Sequence, residues 1–139
     1  MLVTGIFWGP WFSLHRSLQV FKPAEFIHIV KTLADNLAFP MRIMMPGCIL
    51  FMLLSLGLYP QKNSAGFYLH INAFALTVIA LLVTLLVEVP IVNRIKQWQP
   101  ETIPQDWEAI RNRWVKFHVF RTFASLLSFA SFAASVLFF

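Results

Sequence analysis

Thiols, carboxylates and charge in general are scarce in this chain, and each shortage removes a class of chemistry. Cys48 is the single cysteine, which excludes an intramolecular disulfide and any relay between two thiols of one chain. Membrane oxidoreductases that work by dithiol exchange are thereby set aside. The carboxylates number six, namely Glu25, Asp35, Glu88, Glu101, Asp106 and Glu108. No Glu-x-x-His pair occurs among them, so a di-iron carboxylate bundle finds no support. Charged residues make up 12% of the chain, about half the share of an ordinary soluble domain.

What stands in their place is apolar: 58% hydrophobic side chains, with 15 Phe in 139 residues. Such a composition is too apolar for a water-soluble domain and reads as an integral membrane protein whose first partner is the lipid bilayer. Three windows carry no Asp, Glu, Lys or Arg, at residues 43–61, 63–87 and 122–139, and each is long enough for a span. A fourth window, residues 1–14, covers only roughly 20 Å as a helix, so it is expected to continue past His15 and Arg16 with those side chains snorkelling to the headgroups. No basic stretch precedes it, so it reads as a retained span or as one missing an upstream turn. The expected architecture is all-α: one domain over 1–139, an integral membrane four-helix bundle.

Cation placement predicts orientation. Arg16, Lys22, Lys31 and Arg42 fall in the connection from span 1 to span 2, and Arg94, Lys96, Arg111, Arg113, Lys116 and Arg121 around that from 3 to 4. Only Lys62 of the eleven cations lies between spans 2 and 3, so the positive-inside rule puts both long connections in the cytoplasm and both termini outside. The net charge of +5 is thus topological, and no nucleic-acid-binding motif accompanies it.

Local signals refine the elements. Pro10, between Trp8 and Trp11, predicts a kink in the first helix. Residues 23–40, PAEFIHIVKTLADNLAFP, open and close on proline and place Phe26, Ile29, Val30, Leu33 and Leu37 apart from Glu25, His28, Lys31 and Asp35. That pattern predicts a short amphipathic helix on the membrane surface between spans 1 and 2, the other reading being an extension of span 1 or 2. The turn-forming PQKNSAG makes spans 2 and 3 an antiparallel pair. Pro90 is expected to bend span 3, the linker QPETIP to be extended, and Asp106 and Glu108 to favour the start of the fourth helix.

Most of the ionisable and aromatic-polar residues lie between Glu88 and Thr122. On an ideal helix Trp107, Arg111, Trp114, His118, Arg121 and Ser125 share an arc of about 80°. This stripe runs into the uncharged window after Thr122, where an unpaired Arg is costly. Glu88 is the candidate partner. It reads either as a charge partner of Arg121 or Arg111 that locks helix 3 to helix 4, or as a buried base. His118 reads as a packing residue or as a catalytic or ligand-binding one. Trp98, Trp107 and Trp114 read as an interfacial belt or as a stacking wall for a flat aromatic ligand. Asn93 lies about 140° from Glu88 on an ideal helix and shares a site with it only if Pro90 distorts the geometry. Of the histidines, His70 falls near the outer surface and His28 on the surface helix, which leaves His15 and His118 as the one pair able to approach a haem; no metal or cofactor is expected.

The run from V-P through I-x-N-R-I-x-x-W to D-W-x-x-x-R-x-R-W-x-x-x-H-x-x-R-T resembles the small four-span membrane family that includes the anthrone oxygenases. The resemblance covers most of the chain and is specific from Glu88 to Thr122. It places Asn93, Trp98, Trp107, Arg111, Trp114, His118 and Arg121 at the family's motif positions. It implies cofactor-independent oxidation of a fused phenol or anthrone by molecular oxygen. In that scheme His118 or Glu88 removes a proton, Arg121 and Arg111 with Asn93 stabilise the enolate, and the tryptophans hold the ring. His118, Trp114 and Arg121, with Glu88 or Asn93, are then expected to line a cavity at the cytoplasmic boundary, sized for a fused ring. The alternative is a nonenzymatic membrane protein, either an accessory subunit with a membrane protein partner or a binder of lipid or small hydrophobic molecules.

Overall fold

A computed structural model describes residues 1–14, 17–18, 20–99 and 101–138. The expected course of the first helix through His15 and Arg16, and the haem reading of His15, lie outside the described residues. Those residues are helical throughout their regular elements: α1 (Leu2–Leu14), α2 (Pro23–Gly57), α3 (Ala65–Val83), a π-helical turn (Thr84–Glu88), α4 (Val89–Lys96) and α5 (Trp107–Leu137). α3, the π-turn and α4 form one rod. Three rods, Pro23–Gly57, Ala65–Lys96 and Trp107–Leu137, are long and apolar enough to cross a bilayer, whereas α1 is shorter. The chain is therefore an integral membrane protein.

The separate surface helix expected at residues 23–40 is corrected. Glu25 accepts the backbone N–H of Lys22 at 2.9 Å, Pro23 occupies the first helical position, and the helix then runs without a break through Pro40 and Pro46 to Gly57. Unbroken helix across an internal proline is tolerated where neighbouring groups and apolar surroundings make unwinding dearer than a lost hydrogen bond. Packing supplies the other reason. Phe26, Ile27 and Val30 are buried with Ile95, Trp98, Ile110 and Trp114, so the apolar side of this segment closes on the end of α4 and the start of α5 rather than on lipid. Lys31 Nζ donates to the Trp98 carbonyl at 3.0 Å, and Lys96 pairs with Asp35, tying the same surfaces together.

At the other end of the molecule the loop after α2 is short, as its composition predicts. Ser64 caps α3 by accepting the Phe67 N–H at 3.2 Å, which fills one of the orphan donors of a helix start. His70 is buried, its ring edge-on to Phe132 at 4.8 Å, with Nδ1 3.3 Å from Ser135 Oγ of α5. It sits inside the bundle, at the end of the molecule away from His118. α5 packs along α3 through small residues, Ala73, Thr77 and Ala80 facing Ala124, Ser125 and Ser128, the pattern by which apolar helices approach closely in lipid.

α1 lies against α5. Its Phe7 is buried with Met45, Ala80 and Ala124, Trp11 meets Phe123 edge-on at 5.6 Å, and Thr122 Oγ1 reaches the Phe7 carbonyl at 3.3 Å. Phe7 thereby stands where α1, α2, α3 and α5 converge.

Candidate functional site

Two uncharged windows end at the same level of the bundle: Glu88 is the first charged residue after residues 63–87 and Arg121 the last before residues 122–139. Because α3 and α5 run antiparallel, these limits meet. Glu88 Oε2 lies 3.2 Å from Arg121 Nη2, with the Glu88 side chain 3% and that of Arg121 13% exposed. This is the expected pairing, and it is a buried one.

The π-turn sets the angle of Glu88. Pro90 has no amide proton and would clash with the Leu86 carbonyl in a regular α-helix. The backbone widens instead, the Val89 N–H bonding to the Thr84 carbonyl five residues back. Where a bend was expected at Pro90, the rod takes up the proline as a one-turn π-bulge, a device common at functional sites. Thr84 and Glu88 then both face α5, and Thr84 Oγ1 accepts Arg121 Nη1 at 3.3 Å while donating to the Ala80 carbonyl at 2.8 Å.

Around Arg121 the remaining contacts define protonation. Nη2 also lies 2.9 Å from His118 Nδ1. A guanidinium can only donate, so Nδ1 accepts and the ring proton of a neutral His118 is on Nε2. The His118 ring stacks on Trp114 with centroids 5.6 Å apart and planes 22° off parallel. The Arg121 guanidinium carbon sits 4.5 Å from the centre of the Phe7 ring, a cation–π contact in a desolvated place. The Trp114 indole approaches the Glu88 carboxylate, yet among the described residues neither Trp114 Nε1 nor Glu88 Oε1 completes a hydrogen bond. Oε1 is thus a buried carboxylate oxygen with its acceptor sites open, an expensive arrangement unless it serves another purpose.

Of the expected site residues, the structure brings together Glu88, Trp114, His118 and Arg121, and adds Thr84 and Phe7. The others go elsewhere. Arg111 is buried but turns to Asn112 Oδ1, 3.3 Å from its Nε, and to the Trp107 ring at 4.8 Å; it does not pair with Glu88. Trp107 and Trp98 belong to the packed cluster around Phe26. Asn93 is exposed, and among the described residues no hydrogen bond or ion pair ties it to the cluster. The π-turn changes the register of Glu88 but does not undo the angular separation of Asn93 from it.

The expected fused-ring cavity beside His118 is also corrected. His118 and Trp114 line a cleft with Pro10, Trp11, Leu14 and Val115 of about 10 Å³, room for one water at most. Bulky side chains of α1 fill the space. A larger cavity of about 270 Å³ lies on the other side of Phe7, lined by residues of α1, α2, α3 and α5 that include Met45, Cys48, Thr77, Ser125 and Ser128. Sequence reasoning missed it, though the signal was present in hydroxyl residues spaced three apart along the apolar part of α5, at Thr122, Ser125 and Ser128. Among the described residues, no three His, Cys, Asp or Glu side chains gather as a metal site would require.

The family model for the anthrone oxygenases matches residues 34–131, well over half of the chain and all of the Glu88–Arg121 cluster except Phe7. The chain belongs to the anthrone oxygenase family. No curated protein and no solved structure matches it. Within this anthrone oxygenase family member, the matched segment holds the ion pair and, apart from Phe132, the α2, α3 and α5 walls of the larger cavity, while α1 contributes Phe7 and its neighbours Val3 and Thr4 from outside it.

Proposed function

We propose that this protein is a membrane oxygenase that oxidises a fused phenolic or anthrone-like aromatic with molecular oxygen and without a cofactor. The supporting observation is Glu88 Oε1, a buried carboxylate oxygen free to accept a proton, held beside Arg121 and His118 in a chain of the anthrone oxygenase family. Glu88 is the base in this scheme, because the Nδ1 of His118 is engaged by Arg121 and its Nε2 already carries a proton; the α1 side chains that close the cleft, Pro10, Trp11 and Leu14, must move aside for the ring to reach it. Removal of a methylene proton leaves an electron-rich enolate, whose charge is offset by Arg121 and the His118 Nε2–H. That carbanion transfers electrons to oxygen and forms a carbon–oxygen bond, giving a hydroperoxide. Loss of water, which takes the second hydrogen of the same carbon, leaves a ketone. The sum is anthrone plus oxygen to anthraquinone plus water.

The test is oxygen consumption by the purified protein in lipid nanodiscs supplied with an anthrone, with quinone followed by absorbance. One oxygen taken up per quinone formed is the expected result. A rate no higher than that of empty nanodiscs removes the enzyme reading. A second reading would then hold, favoured by the closeness of the packing at His118 and Trp114: the cluster is an interhelical lock in a nonenzymatic membrane protein, an accessory subunit or a binder of hydrophobic molecules.

The same proposal includes four spans with both termini outside and both basic connections cytoplasmic, on the strength of the cation asymmetry around Lys62. With Cys48→Ser as background, a cysteine introduced at Lys62 is expected to label from outside and one at Gln99 from the cytoplasm. Labelling of both from one side would show that the rod Ala65–Lys96 does not cross the membrane.

A further inference from the structure

The 270 Å³ cavity is not part of the Glu88–Arg121 cluster, and its lining has a chemistry of its own. No charged side chain lines it. Its polar side chains are the thiol of Cys48 and the hydroxyls of Thr4, Thr77, Ser125 and Ser128, and Met1, which carries the N-terminal ammonium, also lines it. Each hydroxyl owns one proton, and in every case a neighbour inside the protein takes it. Thr4 donates to the Ser125 carbonyl at 3.4 Å and Ser125 to the Thr122 carbonyl at 2.9 Å. Ser128 and Thr77 converge on the Ala73 carbonyl at 2.7 and 3.1 Å and lie 2.7 Å from each other, so two protons serve that shared set. What the hydroxyls have left is oxygen lone pairs.

We propose that this cavity is a binding site, reached from the bilayer, for an uncharged flat apolar molecule that donates a hydroxyl hydrogen bond to the Thr77–Ser128 pair. Size, access and polarity each bear on the ligand. An apolar cavity of roughly 150 Å³ admits benzene, so the space here accommodates a fused bicyclic ring. Phe51 and Phe129, which line it from the lipid-facing parts of α2 and α5, are exposed, so the cavity has a side open to the bilayer. At the Thr77–Ser128 pair a carboxylate or ketone finds no spare proton, whereas a phenol or alcohol meets acceptors. The site goes beyond the oxygenase reading, since binding is measured without turnover; if both hold, Phe7, which lines the cavity and carries Arg121 on its ring, touches both the bound molecule and the ion pair.

Cys48, the single cysteine and a lining residue, reports occupancy in the unaltered chain. In nanodiscs, alkylation of Cys48 by a membrane-permeant maleimide is followed by mass spectrometry with 1-naphthol, or with 1-methoxynaphthalene, at matched bilayer concentrations. Naphthol is expected to slow the reaction severalfold, and the methyl ether, which has lost the donor, to need a concentration roughly three- to tenfold higher for the same protection. Thr77→Val with Ser128→Ala is expected to bring the two ligands level. If neither ligand slows alkylation, the cavity is not a site for such molecules. If the ether protects as well as naphthol does, the hydrogen-bond assignment is wrong. Either result leaves oxygen uptake, and hence the oxygenase reading, to be judged on its own.

Discussion

Glu88→Gln is expected to destabilise the protein by about 3–5 kcal/mol, and Arg121→Met by a similar amount. The size follows from burial. At 3.2 Å, with 3% and 13% of the two side chains exposed, neither group can turn to water once its partner is gone. A surface pair such as Arg94–Asp106, 3.7 Å apart and more than half exposed on both sides, is worth at most about 1 kcal/mol by comparison. The decisive variant is the double one. Glu88→Gln with Arg121→Met removes both charges, so its loss should be far smaller than the sum of the singles, because most of the single cost is the stranded charge rather than the lost attraction. Unfolding in mixed micelles, followed by tryptophan fluorescence, measures all four corners of this cycle. Single losses no larger than those of Arg94→Gln would mean that the pair is solvated, and the buried lock would have to be abandoned.

A larger effect is expected on rate. If Glu88 is the proton acceptor, Glu88→Gln should lower anthrone-dependent oxygen uptake by about 10²–10⁴-fold, the usual range for loss of a positioned base. Destabilisation alone could mimic this, which is why the double variant matters again. Glu88→Gln/Arg121→Met should be folded and still inactive, whereas Glu88→Asp, which keeps the carboxylate on a shorter stem, should keep measurable turnover. His118→Ala is expected to cost about 10²–10³-fold, the scale of losing one donor to a developing oxyanion. A folded Glu88→Gln protein that retains full oxygen uptake would show that Glu88 is structural only, and the base would then have to be found elsewhere.

The level of the ion pair could be read from the chain because it depends on counting. Apolar windows must lie in lipid, two antiparallel helices bring their ends together, and the charged residues that bound those windows are Glu88 and Arg121. The inward stripe of Arg111, Trp114, His118 and Ser125 was legible for a similar reason, since a helix has one period and all four are buried on one face. Neither inference needs knowledge of what lies opposite.

The errors came where that knowledge is the whole matter. Residues 23–40 have an amphipathic pattern whether they face lipid or protein, and only the arrival of Trp98 and Trp114 against Phe26 decides that α2 continues without a break. The cost of Pro90 was evident, but not that a π-bulge would meet it, nor that the widened turn would carry Glu88 and Thr84 to Arg121. The room for a ligand was least legible of all. A cavity is the difference between helix spacing and the volumes of side chains from four separate elements, so Phe7 and Trp11 close the cleft at His118 while small residues of α3 and α5 leave space beyond Phe7. Sequence by itself determined which residues leave water and which face each helix turns inward, because those are properties of one helix at a time; the tertiary structure alone decided which faces meet and where space remains, because packing depends on the shapes of all its neighbours at once.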